Sequence, residues 1–185
     1  MLKVSNPETV SDFRPISLLN ISQKLLTKIL ADRLQSVILK LVHKNQNGFI
    51  RSRSIQDYLA WSFEYIHQCH HLRRRAIVLK LDFEKAYDKL NWDFLYECLK
   101  QRGFGIKWCD WFKLVMSSGT ASVKLNNTTG SYFKSGSGVR QGDPLSPLLF
   151  VLAADFLQSM INKAEDLGLL NLPIPMEQNQ DFPVI

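Results

Sequence analysis

No stretch of this sequence is apolar for long enough to cross a bilayer as a helix. The longest unbroken run, Leu148 to Ala154, has seven residues and stops at Asp155, against the roughly 18 that a spanning helix needs. The opening MLKVSNPETV has no apolar segment of the kind a secretory signal carries. Cysteine is scarce: Cys69, Cys98 and Cys109 form no close pair, so no disulfide framework is expected. Internal repeats, heptad arrays and low-complexity tracts are also missing, which excludes solenoids and long coiled coils. There is no Gly-rich phosphate loop with its lysine. A DxDxT phosphatase pattern is excluded because residue 84 is Glu and residue 86 is Ala. The expectation is a soluble intracellular chain, in nucleus or cytoplasm, with no membrane contact and an unknown oligomeric state. Its 185 residues suffice for one domain or two small lobes.

What is present is positive charge, unevenly placed. The net charge is +6 and the pI is near 9.3. Residues 1–75 hold 12 Lys/Arg and 5 Asp/Glu, whereas residues 76–185 hold 11 and 12. A basic first part beside a neutral second part fits a polyanion-binding surface next to a site that needs carboxylates. A well-solvated surface is the plain alternative.

Apolar residues from Ile21 to Leu41 recur at steps of three and four, which predicts one long helix capped by Asn20 or Ser22. Ser54-Ile55-Gln56-Asp57 opens a second helix running to about His67. Residues 76–83, AIVLKLDF, are rich in strand formers and predict a buried strand. Asn91 caps a helix ending at Gly103, and residues 106–117 suggest another. Ala121 to Phe133 reads as a hairpin turning at Asn126-Asn127. Gly136 to Pro147 is a loop, followed by a helix from about Leu148 to Asp166 with Gly168 as its stop. The fold class is α+β.

Two segments carry chemistry. Asp82 ends the predicted strand, where a carboxylate can hold Mg²⁺, although capping the next turn is an equal explanation. In the loop Gly138-Val139-Arg140-Gln141-Gly142-Asp143-Pro144, glycines flanking Arg140 and Gln141 permit close approach to a ligand. A rigid helix-entry turn explains the prolines but does not ask for Arg140 and Gln141. His67, Cys69, His70 and His71 crowd together, but neighbouring His70 and His71 suit one tetrahedral ion badly. A helix end running into Arg73-Arg74-Arg75 is the expected reading. Trp108 and Trp111, three apart on a predicted helix, are expected in the core.

In order along the chain, these segments resemble the reverse transcriptases of non-LTR (LINE-type) retrotransposons, with group II intron enzymes as more distant relatives. Phe13-Arg14-Pro15-Ile16-Ser17 is similar to the family's first fingers motif, and Asn45 to Ser54 (NQNGFIRSRS) to the second. Leu81 to Asp88 (LDFEKAYD) resembles the catalytic palm motif. Val139 to Leu148 (VRQGDPLSPL) resembles the motif that contacts nucleotide and template.

The resemblance implies a right-hand polymerase fold, fingers plus an incomplete palm. It divides the chain into basic helical fingers (1–75), the first catalytic palm motif (76–116), a hairpin with the nucleotide-contacting loop (117–142), and a palm helix with a tail (143–185). It implies RNA-directed DNA synthesis with an RNA template, a DNA primer, deoxynucleoside triphosphates and two Mg²⁺ ions. Asp82 and the Phe83 carbonyl would hold metal. Lys3, Arg14, Tyr87, Gln141 and Gly142 would meet the nucleotide, with Tyr87 rejecting a 2′-hydroxyl, although a core tyrosine is the plain alternative. Arg51, Arg53 and Arg140 would meet nucleic acid, with solvated loop arginines an equal reading for the first two. The family's [Tyr/Phe]-x-Asp-Asp motif has no counterpart, since no Asp-Asp pair occurs in the chain. Asp181 lies where its approach is expected. The expectation is therefore a fragment, weak in Mg²⁺ binding and inactive as this chain. The alternative is a decayed or domesticated remnant that only binds nucleic acid.

Overall fold

Asn20 starts the first helix: its Oδ1 accepts the Gln23 N–H at 2.8 Å, the N-cap bond that satisfies an otherwise orphaned donor. The computed structural model describes Ser5, Asn6, Glu8, Thr9, Phe13 and residues 16–174. Lys3, Arg14 and Asp181 lie outside the described residues. Five helices are described: α1 (Ile21–Leu41), α2 (Ile55–His71), α3 (Trp92–Gln101), α4 (Ile106–Ser117) and α5 (Ser146–Asp166). Between α4 and α5 lie four short strands, β1 (Thr120–Ala121), β2 (Lys124–Leu125), β3 (Thr128–Thr129) and β4 (Phe133–Lys134). Antiparallel β2 and β3 turn through Asn126 (φ 46°) and Asn127 (φ 67°), the left-handed pair a two-residue hairpin needs. β1 pairs with β4, Thr120 opposite Lys134. The mixture is α+β.

The chain forms two compact units, residues 1–34 with 85–150 and residues 35–84 with 151–185. They follow contacts rather than motif order, so α1 and α5 contribute to both. In the first unit α3 packs on α4, with Leu95, Cys98 and Leu99 on one helix and Cys109, Phe112, Val115 and Met116 on the other buried. Trp111 is 43% exposed, so the expected core position is not taken; the Arg33 guanidinium lies 5.9 Å from its ring centroid. Trp108 instead packs on Phe104, centroids 4.6 Å apart. The second unit buries Ile38, Val42, Ile50, Cys69, Val151 and Leu152.

One predicted element is not there. Residues 76–83 form no strand, and Ile77, Val78, Leu79, Leu81 and Phe83 are all exposed, Ile77 at 96%. A strand is held by N–H and C=O groups of a neighbour, and no described segment pairs with this one. Asp82 thus stands on an exposed extended segment and not at the end of a buried strand.

Candidate nucleotide-binding loop and carboxylate

The loop 138–142 is held on three sides within the first unit. Gly138 donates its N–H to the Leu90 carbonyl at 2.7 Å, and Val139 donates to the Tyr87 carbonyl at 2.8 Å. The Trp92 indole N–H donates to the Gly138 carbonyl at 2.7 Å. Gly138 has φ 80°, and a Cβ there would stand 2.6 Å from the Asp88 carbonyl oxygen, so only glycine fits so close to that backbone. On the far side, Ser17 donates to the Gln141 carbonyl at 2.9 Å. Gly142 has φ 101° and faces the Ser17 carbonyl. Three segments distant in sequence, around Ser17, Tyr87–Trp92 and Gly138–Gly142, therefore meet.

Tyr87 is half-buried and stacks on Phe150 of α5, with centroids 5.1 Å apart and planes at 20°. Burial pushes its phenol pKa up, because a charged phenolate is disfavoured away from water. Gln141 reaches Asp88 Oδ1 through Nε2 in a long 3.5 Å contact. Asp143 is buried and accepts from Ser146 Oγ at 3.0 Å, which fixes the entry to α5.

Arg140 has a role inside the protein. Its Nη1 donates to the Val115 carbonyl at 3.0 Å and Nη2 to Met116 at 3.3 Å, so the guanidinium closes the C-terminal turn of α4, where a cation is favoured. One planar fork thus satisfies two carbonyls at that helix end. Arg53 is likewise committed internally: Nη1 donates to His43 O at 2.7 Å and Gln46 O at 2.6 Å, binding the 43–46 turn. Arg51 is exposed and, with Arg53 and Phe49, lines an open depression of about 510 Å³ in the second unit. There Asp155, itself buried, accepts the His43 backbone N–H at 2.7 Å. Burial lowers the His43 pKa, Asp155 opposing and Lys44 and Arg53 adding to the effect.

The structure thus brings Tyr87, Arg140, Gln141 and Gly142 together. Asp82, Phe83, Arg51 and Arg53 belong to the second unit. Trp92 and Phe150 hold the loop and the tyrosine, yet neither was singled out for this; both are ordinary aromatics in helical segments, with no spacing signal. Asp82 is exposed, and among the described residues no three His, Cys, Asp or Glu side chains gather as a metal group. Mg²⁺ requires a near-octahedral oxygen set. One carboxylate and the Phe83 carbonyl do not by themselves fit two such ions.

The chain belongs to the family described as reverse transcriptase (RNA-dependent DNA polymerase), whose profile matches residues 3–172, and its relatives place it with the non-LTR, LINE-type retrotransposons. It is 30% identical over 154 residues to the uncharacterized 149 kDa protein of transposon TX1 of Xenopus laevis, covering 83% of this chain and 12% of that protein. It is 32% identical over 156 residues to the retrovirus-related Pol polyprotein of the type-2 retrotransposable element R2DM of Drosophila melanogaster, covering 82% and 15%. It is 26% identical over 151 residues to the probable RNA-directed DNA polymerase of transposon BS of the same organism, covering 80% and 17%. The chain thus spans less than a fifth of the length of these relatives. Reverse transcriptases generally use Mg²⁺. No helix among the described residues is long and apolar enough to cross a membrane.

Proposed function

We propose that this chain is the part of an RNA-directed DNA polymerase that receives the incoming deoxynucleoside triphosphate, and that it carries one of the carboxylates the whole enzyme needs. The observation that supports this is the meeting of Tyr87 with Val139–Gln141, across some fifty residues of sequence, through the Val139 N–H to Tyr87 carbonyl bond. A bulky ring on a segment whose backbone bonds the glycine-flanked loop excludes a 2′-hydroxyl by contact alone, without a hydrogen bond to tune. Gln141 and Gly142 lie against the base and sugar, Lys3 and Arg14 neutralise the triphosphate, and Arg51 meets the nucleic-acid backbone. In this reading residues 1–75 belong to the fingers and the following segments to the palm. Asp82 and the Phe83 carbonyl are donors toward Mg²⁺ in the complete polymerase, where two ions would stabilise the charge of the transferring phosphoryl group. The 185-residue chain, with its single motif carboxylate, holds primer–template but does not extend it.

The test places residues 3–172 in the matching segment of a transposon relative's polymerase. Asp82→Asn is expected to reduce primer extension by at least about 10²–10³-fold, the usual scale for losing a charge-stabilising group, with template affinity unchanged. Tyr87→Val is expected to admit ribonucleotides while retaining extension with deoxynucleotides. Undiminished extension by the Asp82 variant, or unchanged sugar discrimination by the Tyr87 variant, would remove that residue from the site. Binding of a fluorescent deoxynucleotide to the 185-residue chain, weakened by Tyr87→Ala, gives a second readout independent of the chimera.

A further inference from the structure

Helices α2, α3 and α5 end in the same way, with the second residue beyond the helix in the left-handed region and two backbone bonds closing the turn. At α3, Gly103 (φ 78°) donates to Lys100 O at 2.9 Å and Phe104 to Leu99 O at 3.1 Å. At α5, Gly168 (φ 70°) donates to Glu165 O at 2.8 Å and Leu169 to Ala164 O at 2.9 Å. At α2 the position is Arg73 (φ 51°), which donates to His70 O at 3.1 Å while Arg74 donates to Cys69 O at 2.9 Å. This termination favours glycine, because any Cβ in the left-handed region crowds the following carbonyl. The chain uses glycine at two ends and arginine at the third, against the backbone preference. The side chain of Arg73 is what distinguishes that end.

Its surroundings give the side chain a partner class. Arg74 and Arg75 follow directly, and no Asp or Glu occurs from Tyr65 to Leu81. All three arginines are exposed, and among the described residues no side chain forms a hydrogen bond or ion pair with them. Helix-end compensation does not account for them: about half a unit charge suffices, and α3 and α5 each have one lysine in the last turn. His70 and His71 already occupy the last turn of α2. The run contains no lysine, and guanidinium forks match the paired oxygens of a phosphodiester.

We propose that Arg73, Arg74 and Arg75 form a docking surface for an RNA strand, read through its phosphates and separate in sequence from the nucleotide loop. The inference rests on the reading of this chain as part of a polymerase copying RNA. The test is fluorescence anisotropy of a labelled single-stranded RNA with the 185-residue chain, titrated against KCl. Substituting all three arginines by Gln is expected to weaken binding more than tenfold at low salt and to flatten the log–log salt slope by about 2, at roughly 0.7 per phosphate contact. A control that neutralises Lys107, Lys124 and Lys134 removes the same charge elsewhere and should leave most of the slope. Arg73→Gly should weaken RNA binding while its Tm stays level or rises. Equal loss in the control and the arginine variant would overturn the proposal, as would an unchanged slope or a Tm that falls in Arg73→Gly. So would arginine-dependent capture by anionic phosphatidylserine vesicles with RNA binding unaltered. If the wild type binds RNA and only the arginine substitutions are silent, this surface fails while the nucleotide-loop reading stands on its own Tyr87 and Asp82 tests.

Discussion

Replacing Gly138 by Ala tests the loop's tight seat directly. Two costs add there. The left-handed φ of 80° costs an L-residue about 1–2 kcal/mol. A Cβ at 2.6 Å from the Asp88 carbonyl oxygen, and 3.0 Å from its C and Cα atoms, meets backbone that cannot swing aside, and overpacking of this kind costs about 1–3 kcal/mol. The total is about 2–5 kcal/mol. Gly103→Ala separates the two costs, since Gly103 has nearly the same φ, 78°, but nothing within 4 Å of its added Cβ. Both variants narrow the unfolded chain equally, so that contribution cancels in their difference. The extra destabilisation of the Gly138 variant is thus about 1–3 kcal/mol, and for a chain of this size each kcal/mol moves the melting temperature by roughly 2–4 °C. Urea unfolding of the two variants beside the parent measures it. Equal midpoints for the two would refute the close backbone seat, and with it the argument that residues 138–142 are rigidly placed against Tyr87–Leu90.

Arg140→Met is expected to lose about 1.5–3 kcal/mol, the scale of hydrogen bonds to a charged group, and to speed amide exchange in the last turn of α4; Arg140→Lys should recover only part of it, lacking the fork. Exchange at α4 unchanged in Arg140→Met would show that the cap does no work. Burial holds the His43 pKa in the folded protein below its ordinary value, so its neutral form is the one the fold favours. Its contribution is present above the unfolded value and is lost as pH falls through the lower folded one. The unfolding midpoint should therefore drop below about pH 6.5, less steeply in His43→Gln, and parallel profiles for the two would contradict this.

Much of the helical layout was legible locally. Asn20, Ser54 and Asn91 each accept the N–H three residues on, and Gly103 and Gly168 mark helix ends, because caps and left-handed turns are decided by neighbours along the chain. The second helix nonetheless runs on to His71 past the expected end near His67, its stop being a left-handed arginine that composition does not flag. In α1 the apolar periodicity was visible but its buried side was not. Leu30, Leu34 and Ile38 are buried, whereas Ile21, Leu25 and Ile29 are exposed, and both rows satisfy the same three-and-four spacing.

Motif order by itself determined the family of this protein, since LDFEKAYD and VRQGDPLSPL keep their residue types at short, fixed intervals. The hairpin at Asn126-Asn127 was also a local matter. Only the tertiary structure decided that Arg140 caps α4, that Arg53 binds the 43–46 turn, that Trp92 pins Gly138, and that Phe150 backs Tyr87. Only it decided that residues 76–83, strand-formers by composition, lie exposed with no strand partner among the described residues. The physical reason is common to all of these. A cap or turn is satisfied within four residues of chain, whereas a guanidinium, an indole N–H or a strand's backbone is satisfied by whichever distant groups the fold brings within about 3 Å.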